Sequence, residues 1–315
     1  MTYRSTLIFL LVVVFFLSLY LFETRRVEKQ KKAQEAMKTL FHLQPEDLTR
    51  LALRKDNREI VLERKDGEVW EIKAPLRTPA DPFALARVKN TLGALKYLRV
   101  ISKEPRDLSQ FGLDPPDFLI SYRAGEQEGF LAFGSKSPVE DGFYARSGLG
   151  RTVYLVYGPD KIDLDKTLFD LRAKGLFTIQ REGVDRLVIE RPGRTWILKR
   201  VDGKWSLHGR EDFAVDQERV EDLLRITLVA EALSFVREEA VDLEPYGLNP
   251  PQARVLFSDD EQSEEILYGA SAENRAVYAK ILGKPQVLTA PKRLIEELPE
   301  TLEDLKALGL GEGKP

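Results

Sequence analysis

The chain has no cysteine and only two histidines in 315 residues. Without cysteine there are no disulfides, no thiolate metal sites, no thiol nucleophile and no lipid attachment through cysteine. The redox compartment stays open, because a cysteine-free chain suits either environment. His42 falls near a basic stalk and His208 matches Lys73 of a duplicated segment, so both read as surface residues rather than parts of a metal cluster or a triad. Phosphate-binding P-loops, dinucleotide fingerprints and paired-histidine zinc motifs are also missing. A formal net charge of −3 gives no electrostatic reason to expect nucleic acid. No cofactor or metal is implied.

What the sequence does contain is a repeat. DLSQFGLDPP, Asp107–Pro116, returns as DLEPYGLNPP, Asp242–Pro251, an offset of 242 − 107 = 135 residues. The same offset carries Trp70 to Trp205, Asp81 to Asp216 and Gly134 to Gly269. Repetition at fixed spacing is a strong architectural signal, and a length of 315 residues suits two domains plus extras. With 43% hydrophobic and 31% charged residues, the body can bury a core and stay soluble.

Each ten-residue stretch reads as a short helical turn with a programmed exit. Asp107 and Asp242 suit the capping of free N–H groups. Gly112 and Gly247 suit the left-handed position after the turn, and Leu113 and Leu248 follow where a side chain often folds back. Pro115, Pro116, Pro250 and Pro251 block helix continuation and push the preceding residue toward extended backbone. A docking ridge is the competing reading; capping rules favour a structural corner.

Leu7–Phe22 is sixteen residues without a charge. At about 1.5 Å per residue it covers roughly 24 Å, and adding Thr6 and Tyr3 brings it to membrane length, with Arg4 able to snorkel. The run ends in YLFETRR with no small-residue cleavage site, so an uncleaved single-pass anchor over residues 6–22 is expected. One basic residue precedes the run, whereas Arg25, Arg26, Lys29, Lys31, Lys32 and Lys38 follow it, a bias that alone keeps the body in the cytoplasm. Glu23–Leu40 reads as a helical basic stalk. The expected division is an anchor and stalk over 1–45, repeats over 46–180 and 181–310, and a disordered tail over 311–315.

Within the first repeat, LTRLALRK alternates like a half-buried strand, and Asp66–Gly67 marks a hairpin, as Asp202–Gly203 does in the second. Trp70 and Trp205 follow those turns. Core packing and sugar stacking are both open to a repeated tryptophan, and core packing is the commoner fate. Asp81 before Pro82 is a helix start, followed by an apolar stripe of Leu85, Val88, Leu92 and Leu95; Asp216 precedes Val220, Leu223, Leu224 and Leu228. Short strands follow each corner, and DKIDLDKTLFDL and APKRLIEELPETLEDLKAL read as closing helices. Strand-rich repeats with segregated helices predict an α+β fold.

Chemistry is sparse. Asp81 and Asp216 are the matched acid pair that invites a chemical reading, open to a general-base or a capping role, and Pro82 favours the cap. The acidic run Asp259–Glu265 lacks calcium-loop spacing and reads as a solvated turn.

The apolar span, the DGxW-type hairpins, the helix opened by Ala80–Asp81–Pro82 and the GLDPP corner, Gly112–Pro116, together resemble the "domain of unknown function 4340" family of bacterial membrane-anchored proteins. The resemblance runs from Glu46 to about Leu310; the second copy departs from it with Val215 for Ala80 and Gln217 for Pro82. It implies an inner-membrane protein with an extracytoplasmic body, against the charge bias. It also implies an association with gliding-type ABC transport auxiliary proteins. The expected role is therefore a non-enzymatic accessory or scaffold module beside an ABC-type transporter, with the bilayer and a transporter permease as partners. An envelope protein binding glycan or lipid, and a carboxylate-dependent hydrolase, are the alternatives.

Overall fold

The computed structural model describes residues 38–307 except His42, Leu149 and Glu211, together with Leu17, Ser18, Tyr20 and Phe22–Thr24. His42, the 311–315 tail and most of the expected 6–22 span therefore lie outside the described residues. Among the described residues no helix is long and apolar enough to cross a membrane.

The fold is α+β and strand-rich, in two units that divide between Ala173 and Lys174. The boundary precedes the expected 180/181 because Leu176, Phe177 and Ile179 are buried in the second core. The first unit holds β1 (Leu48–Lys55), β2 (Arg58–Asp66), β3 (Val69–Ala74), β4 (Thr78–Pro79), α1 (Pro82–Ala94), β5 (Tyr97–Ser102), β6 (Phe118–Ala124), β7 (Gln127–Lys136), β8 (Gly142–Ser147), β9 (Val153–Tyr157), α2 (Gly158–Leu164) and α3 (Leu168–Leu171). The second holds β10 (Arg186–Arg191), β11 (Arg194–Val201), β12 (Lys204–Leu207), α4 (Gln217–Leu228), β13 (Ser234–Arg237), β14 (Ala253–Ser258), β15 (Ser263–Ala272), β16 (Ala276–Ile281), β17 (Val287–Pro291) and α5 (Arg293–Glu296).

Each unit is built on one antiparallel sheet. The first runs β4-β3-β2-β1-β6-β7-β8-β9-β5, the second β12-β11-β10-β14-β15-β16-β17-β13. Apart from β4 the two orders match strand for strand. In each, a meander of three strands ends at one edge and a helix carries the chain to the opposite edge. The next stretch must then bring it back to the sheet centre, where β6 pairs with β1 and β14 with β10. The repeated corner makes that return.

Residue alternation assigns the faces. In β7, Leu131 and Phe133 join the core beneath α1, whereas Phe130 and Ala132 join a smaller cluster with Leu108, Phe111 and Leu113 of the corner. In β15, Ile266 and Tyr268 face the main core, and Leu267 packs with Leu243, Tyr246 and Leu248. A period of two on a strand produces this split directly.

The helices start where their caps say. Asp81 Oδ1 accepts from the N–H groups of Phe83 and Ala84 at 3.0 and 2.9 Å, and Asp216 accepts from Arg219 N at 3.1 Å. Leu85, Val88, Leu92, Val220, Leu223 and Leu224 are buried beneath them, and Leu228 is partly buried. Asp81→Ala should cost about 1 kcal/mol, the ordinary value of a lost N-cap, read as a shift in the urea midpoint of the full chain. A loss several times larger would assign Asp81 a role beyond the cap.

Two expectations change. Lys38–Leu40 does not continue a helical stalk: Leu40 N donates to Leu95 O at 2.9 Å and Tyr97 N to Lys38 O at 3.0 Å, and Phe41 and Leu43 are already buried in the first core. That apolar pair draws the chain into the domain ahead of residue 46. The closing segments are not long helices either. The last holds only α5 and a 3-10 turn at Leu302–Leu305, with Pro299 between them interrupting the backbone donors. The Asp114–Pro115 and Asn249–Pro250 bonds of the two corners are both cis.

One core position distinguishes the copies. Phe133 is fully buried, and its counterpart Tyr268 is buried too, with a hydroxyl that has no hydrogen-bond partner among the described residues. Burial alone pushes that phenol well above its ordinary pKa. A buried polar group without a partner is costly. Tyr268→Phe should therefore raise stability, by about 1 kcal/mol. A destabilised variant in urea denaturation would show instead that the hydroxyl is satisfied.

Candidate functional site

The corner is a complete helix-exit motif in both copies. Gly112 sits at φ 66° and Gly247 at φ 63°. Gly112 N donates to Ser109 O at 2.8 Å and Leu113 N to Leu108 O at 3.1 Å; Gly247 N and Leu248 N do the same to Glu244 O and Leu243 O at 2.9 and 3.1 Å. These are the paired bonds of a Schellman motif. Asp107 accepts from Ser109 N at 2.8 Å and Asp242 from Glu244 N at 3.0 Å. The aromatic residue of each corner then meets a tyrosine edge-on, Phe111 with Tyr144 and Tyr246 with Tyr278, with centroids 5.1 and 5.3 Å apart.

What the corner docks against is a glycine in a strand irregularity. The β7–β8 register shifts between Phe133 and Lys136, and the β15–β16 register between Tyr268 and Ser271. Gly134 and Gly269 lie in those shifts, and a Cβ on either would overlap the carbonyl oxygen of Phe111 or Tyr246. Repetition of Gly134 as Gly269 was visible in the sequence; that the corner rests on it was not.

The returning chain leaves part of the sheet's back face open. In the first unit, Arg50, Ala52, Ser121, Tyr122, Arg123 and Phe130 line a recess of about 310 Å³. In the second, a groove of about 610 Å³ runs along the corner, with Leu243, Leu248, Pro250, Pro251, Leu267 and Leu282 among its apolar walls. Its carboxylates are both engaged by one arginine: Arg254 pairs with Glu265 and, at 3.4 Å, with Glu190, while Arg191 donates to backbone carbonyls. In the first recess Arg123 pairs with Glu128 at 2.5 Å and Arg50 with Glu63 at 3.4 Å.

The repeated tryptophans and the cap acids lie on the opposite, helix-covered face. Trp70 and Trp205 are core residues there. The Trp205 indole donates to Glu221 at 2.9 Å, while Lys89 stands 5.5 Å from the Trp70 ring. Asp81 and Asp216 belong to that layer as caps, so the structure does not bring them together with the corner prolines. His208 is exposed. In the acidic run, Asp259 accepts from Glu261 N and Gln262 N at 2.8 Å, Glu264 from Thr178 and Ile179, and Glu265 pairs with Arg254. Among the described residues no group of acids and histidines is arranged to hold a metal. The most perturbed carboxylate, Glu71, is drawn down to about 2 by hydrogen bonds from Arg77 and Lys73, which is ion pairing on a half-buried strand.

A family model described as "Domain of unknown function (DUF4340)" matches residues 70–224 and again 205–309. The chain belongs to this family. The two matches begin at Trp70 and Trp205, 135 residues apart, which is the spacing of the repeated corner. No curated protein and no solved structure matches the chain.

Proposed function

We propose that this family member is a membrane-anchored, non-enzymatic accessory module of the bacterial envelope that works beside an ABC-type transporter. The observation that carries the reading is the construction of the two units. Each covers one sheet face with a helix and leaves the other only half-closed by the corner, so each presents a preformed recess on a rigid sheet. The carboxylates lining those recesses are each paired with an arginine, which suits recognition by shape better than acid–base work on a substrate. The apolar run Leu7–Phe22 supplies the anchor and the body stands outside the cytoplasm, because large domains translocate despite flanking basic residues. Asp81 and Asp216 lend a hydrolase little support, since each already accepts hydrogen bonds from a helix N-terminus.

Affinity purification of the full chain from native membranes should recover a transporter permease or its ATPase; recovery of unrelated soluble proteins alone would overturn the proposal. A reporter active only outside the cytoplasm, fused after Pro315, should be active. An active cytoplasmic reporter with a silent external one would reverse the orientation. The second reading, a ligand-binding envelope protein, is favoured by the groove of about 610 Å³ in the second unit, whose size and apolar walls are those of a small-molecule site.

A further inference from the structure

Because both copies share one strand order, their positions can be matched by register. Up to Phe133 and Tyr268 the offset is 135; beyond the next turn it is 134. Ala145 pairs with Tyr154 where Ala279 pairs with Leu288. Gly158 N donates to Asp141 O at 3.3 Å where Lys292 N donates to Arg275 O at 2.9 Å. Arg275 therefore occupies the place of Asp141, Lys292 that of Gly158 and Arg293 that of Pro159, while Asn274 replaces Glu140.

The substitutions invert the charge of one surface. In the first copy Glu140 pairs with Arg99 at 2.7 Å and Asp141 with Lys136 at 3.2 Å. In the second, three cations converge on a cavity of about 570 Å³, completed by Leu233, Asn274, Pro291 and Glu296. Glu296 is the one acid in that lining, and it pairs with Lys292 at 3.4 Å. Among the described residues neither Arg275 nor Arg293 has an ion-pair partner. The cations come from two segments that the Lys292–Arg275 backbone bond ties together, so the site is assembled by the sheet and not by one mobile loop.

We infer that this cavity binds a phosphate ester, with Arg275 and Arg293 holding the phosphate and Lys292 adding charge. Planar guanidinium groups match phosphate oxygens in paired hydrogen bonds, and a cluster of unpaired arginines is a common way to select such anions. The cavity is larger than a bare phosphate needs, and the exposed Leu233 beside Pro291 gives an apolar wall for the rest of the ligand. The same chemistry is carried by a lipid headgroup and by a soluble phosphate ester. This inference does not depend on a transporter partner.

The test uses the full chain in a neutral detergent at fixed ionic strength, with two probes: inorganic phosphate, and micelles of the same detergent doped with phosphatidic acid. The wild type should bind at least one. Arg275→Asn with Arg293→Gln should weaken that binding at least tenfold; asparagine tolerates the left-handed backbone that Arg275 adopts at φ 56°. Arg210→Gln, elsewhere on the same unit, should leave binding unchanged. Binding of inorganic phosphate points to a soluble ester, and binding of doped micelles alone to a lipid headgroup. Failure of the wild type to bind either probe would overturn the inference, as would unchanged binding by the double variant. Should the double variant melt early, Arg293→Gln alone carries the comparison, with a threefold to tenfold loss expected.

Discussion

Gly134→Val and Gly269→Val should each remove at least about 3 kcal/mol of stability, the upper range for forcing atoms into a packed site. A Cβ at Gly134 would overlap the Phe111 carbonyl and lie 2.8 Å from the Gly112 carbonyl carbon; at Gly269 it would overlap the Tyr246 carbonyl and lie 3.0 Å from that of Gly247. Those neighbours are mostly backbone, so no rotamer change relieves the clash. The corner must lift from the strand, exposing Leu108 and Leu113, or Leu243 and Leu248, which it buries or half-buries there. Against a typical stability of about 5–15 kcal/mol, either loss is large. Gly112→Val and Gly247→Val should also be costly, because the left-handed backbone strains a β-branched residue by about 1–3 kcal/mol and the new Cβ approaches Ser135 N or Ala270 N at 2.8 Å. Gly150→Ala is the control: nothing lies within 4 Å of its added Cβ. Urea denaturation followed by tryptophan fluorescence reads the series. If Gly134→Val unfolds with the wild type, the corner does not dock where the structure puts it.

That docking marks the limit of what the sequence discloses. The corner itself is legible because capping is local: an aspartate, a left-handed glycine and a following leucine sit within seven residues, and their roles follow from backbone geometry. The strands and the two amphipathic helices are legible for the same reason, through periods of two and 3.6. The strand order is not, since the pairing of β6 with β1 joins residues some seventy positions apart with no local mark. The closing segments mislead because their charged and apolar spacing is helical while Pro299 and the available partners decide otherwise.

The candidate sites were hidden for a related reason. Arg275, Lys292 and Arg293 are ordinary surface cations in the sequence, and a one-residue difference between the β7–β8 and β15–β16 connections conceals their match to Asp141, Gly158 and Pro159. Only the hydrogen-bond register exposes the inverted charge. The acids the sequence singled out are instead the best satisfied: Asp107 is held below the usual carboxylate range by hydrogen bonds from the Ser109 side chain and backbone. The lowered pKa values of Asp107 and Glu71 report capping and ion pairing, which also perturb pKa values outside functional sites.

Arg191→Met should destabilise the second unit by about 3 kcal/mol, since hydrogen bonds from a charged donor are worth about 1.5–3 kcal/mol each and here are not additive. Its guanidinium, half-buried at the end of β10, donates to Pro299 O at 3.0 Å and to Ile295 O and Leu298 O at 2.8 and 3.2 Å. Arg219 takes Glu297 O at 2.8 Å, and Arg194 bonds Glu300 O. These side chains do for the closing segment what further helical turns would otherwise do, giving donors to the carbonyls at the end of the short helix and in the turn after it. At the end of the matching strand in the first unit, Lys55 instead pairs with the Asp165 carboxylate at 2.7 Å. Methionine keeps the length and the apolar stem of Arg191, so the variant isolates the lost hydrogen bonds. Hydrogen exchange should quicken over residues 293–300 and remain unchanged over β1–β9. Unchanged protection there, with an unchanged urea midpoint, would mean that the buried Leu294, Ile295 and Leu298 hold the segment without the arginine.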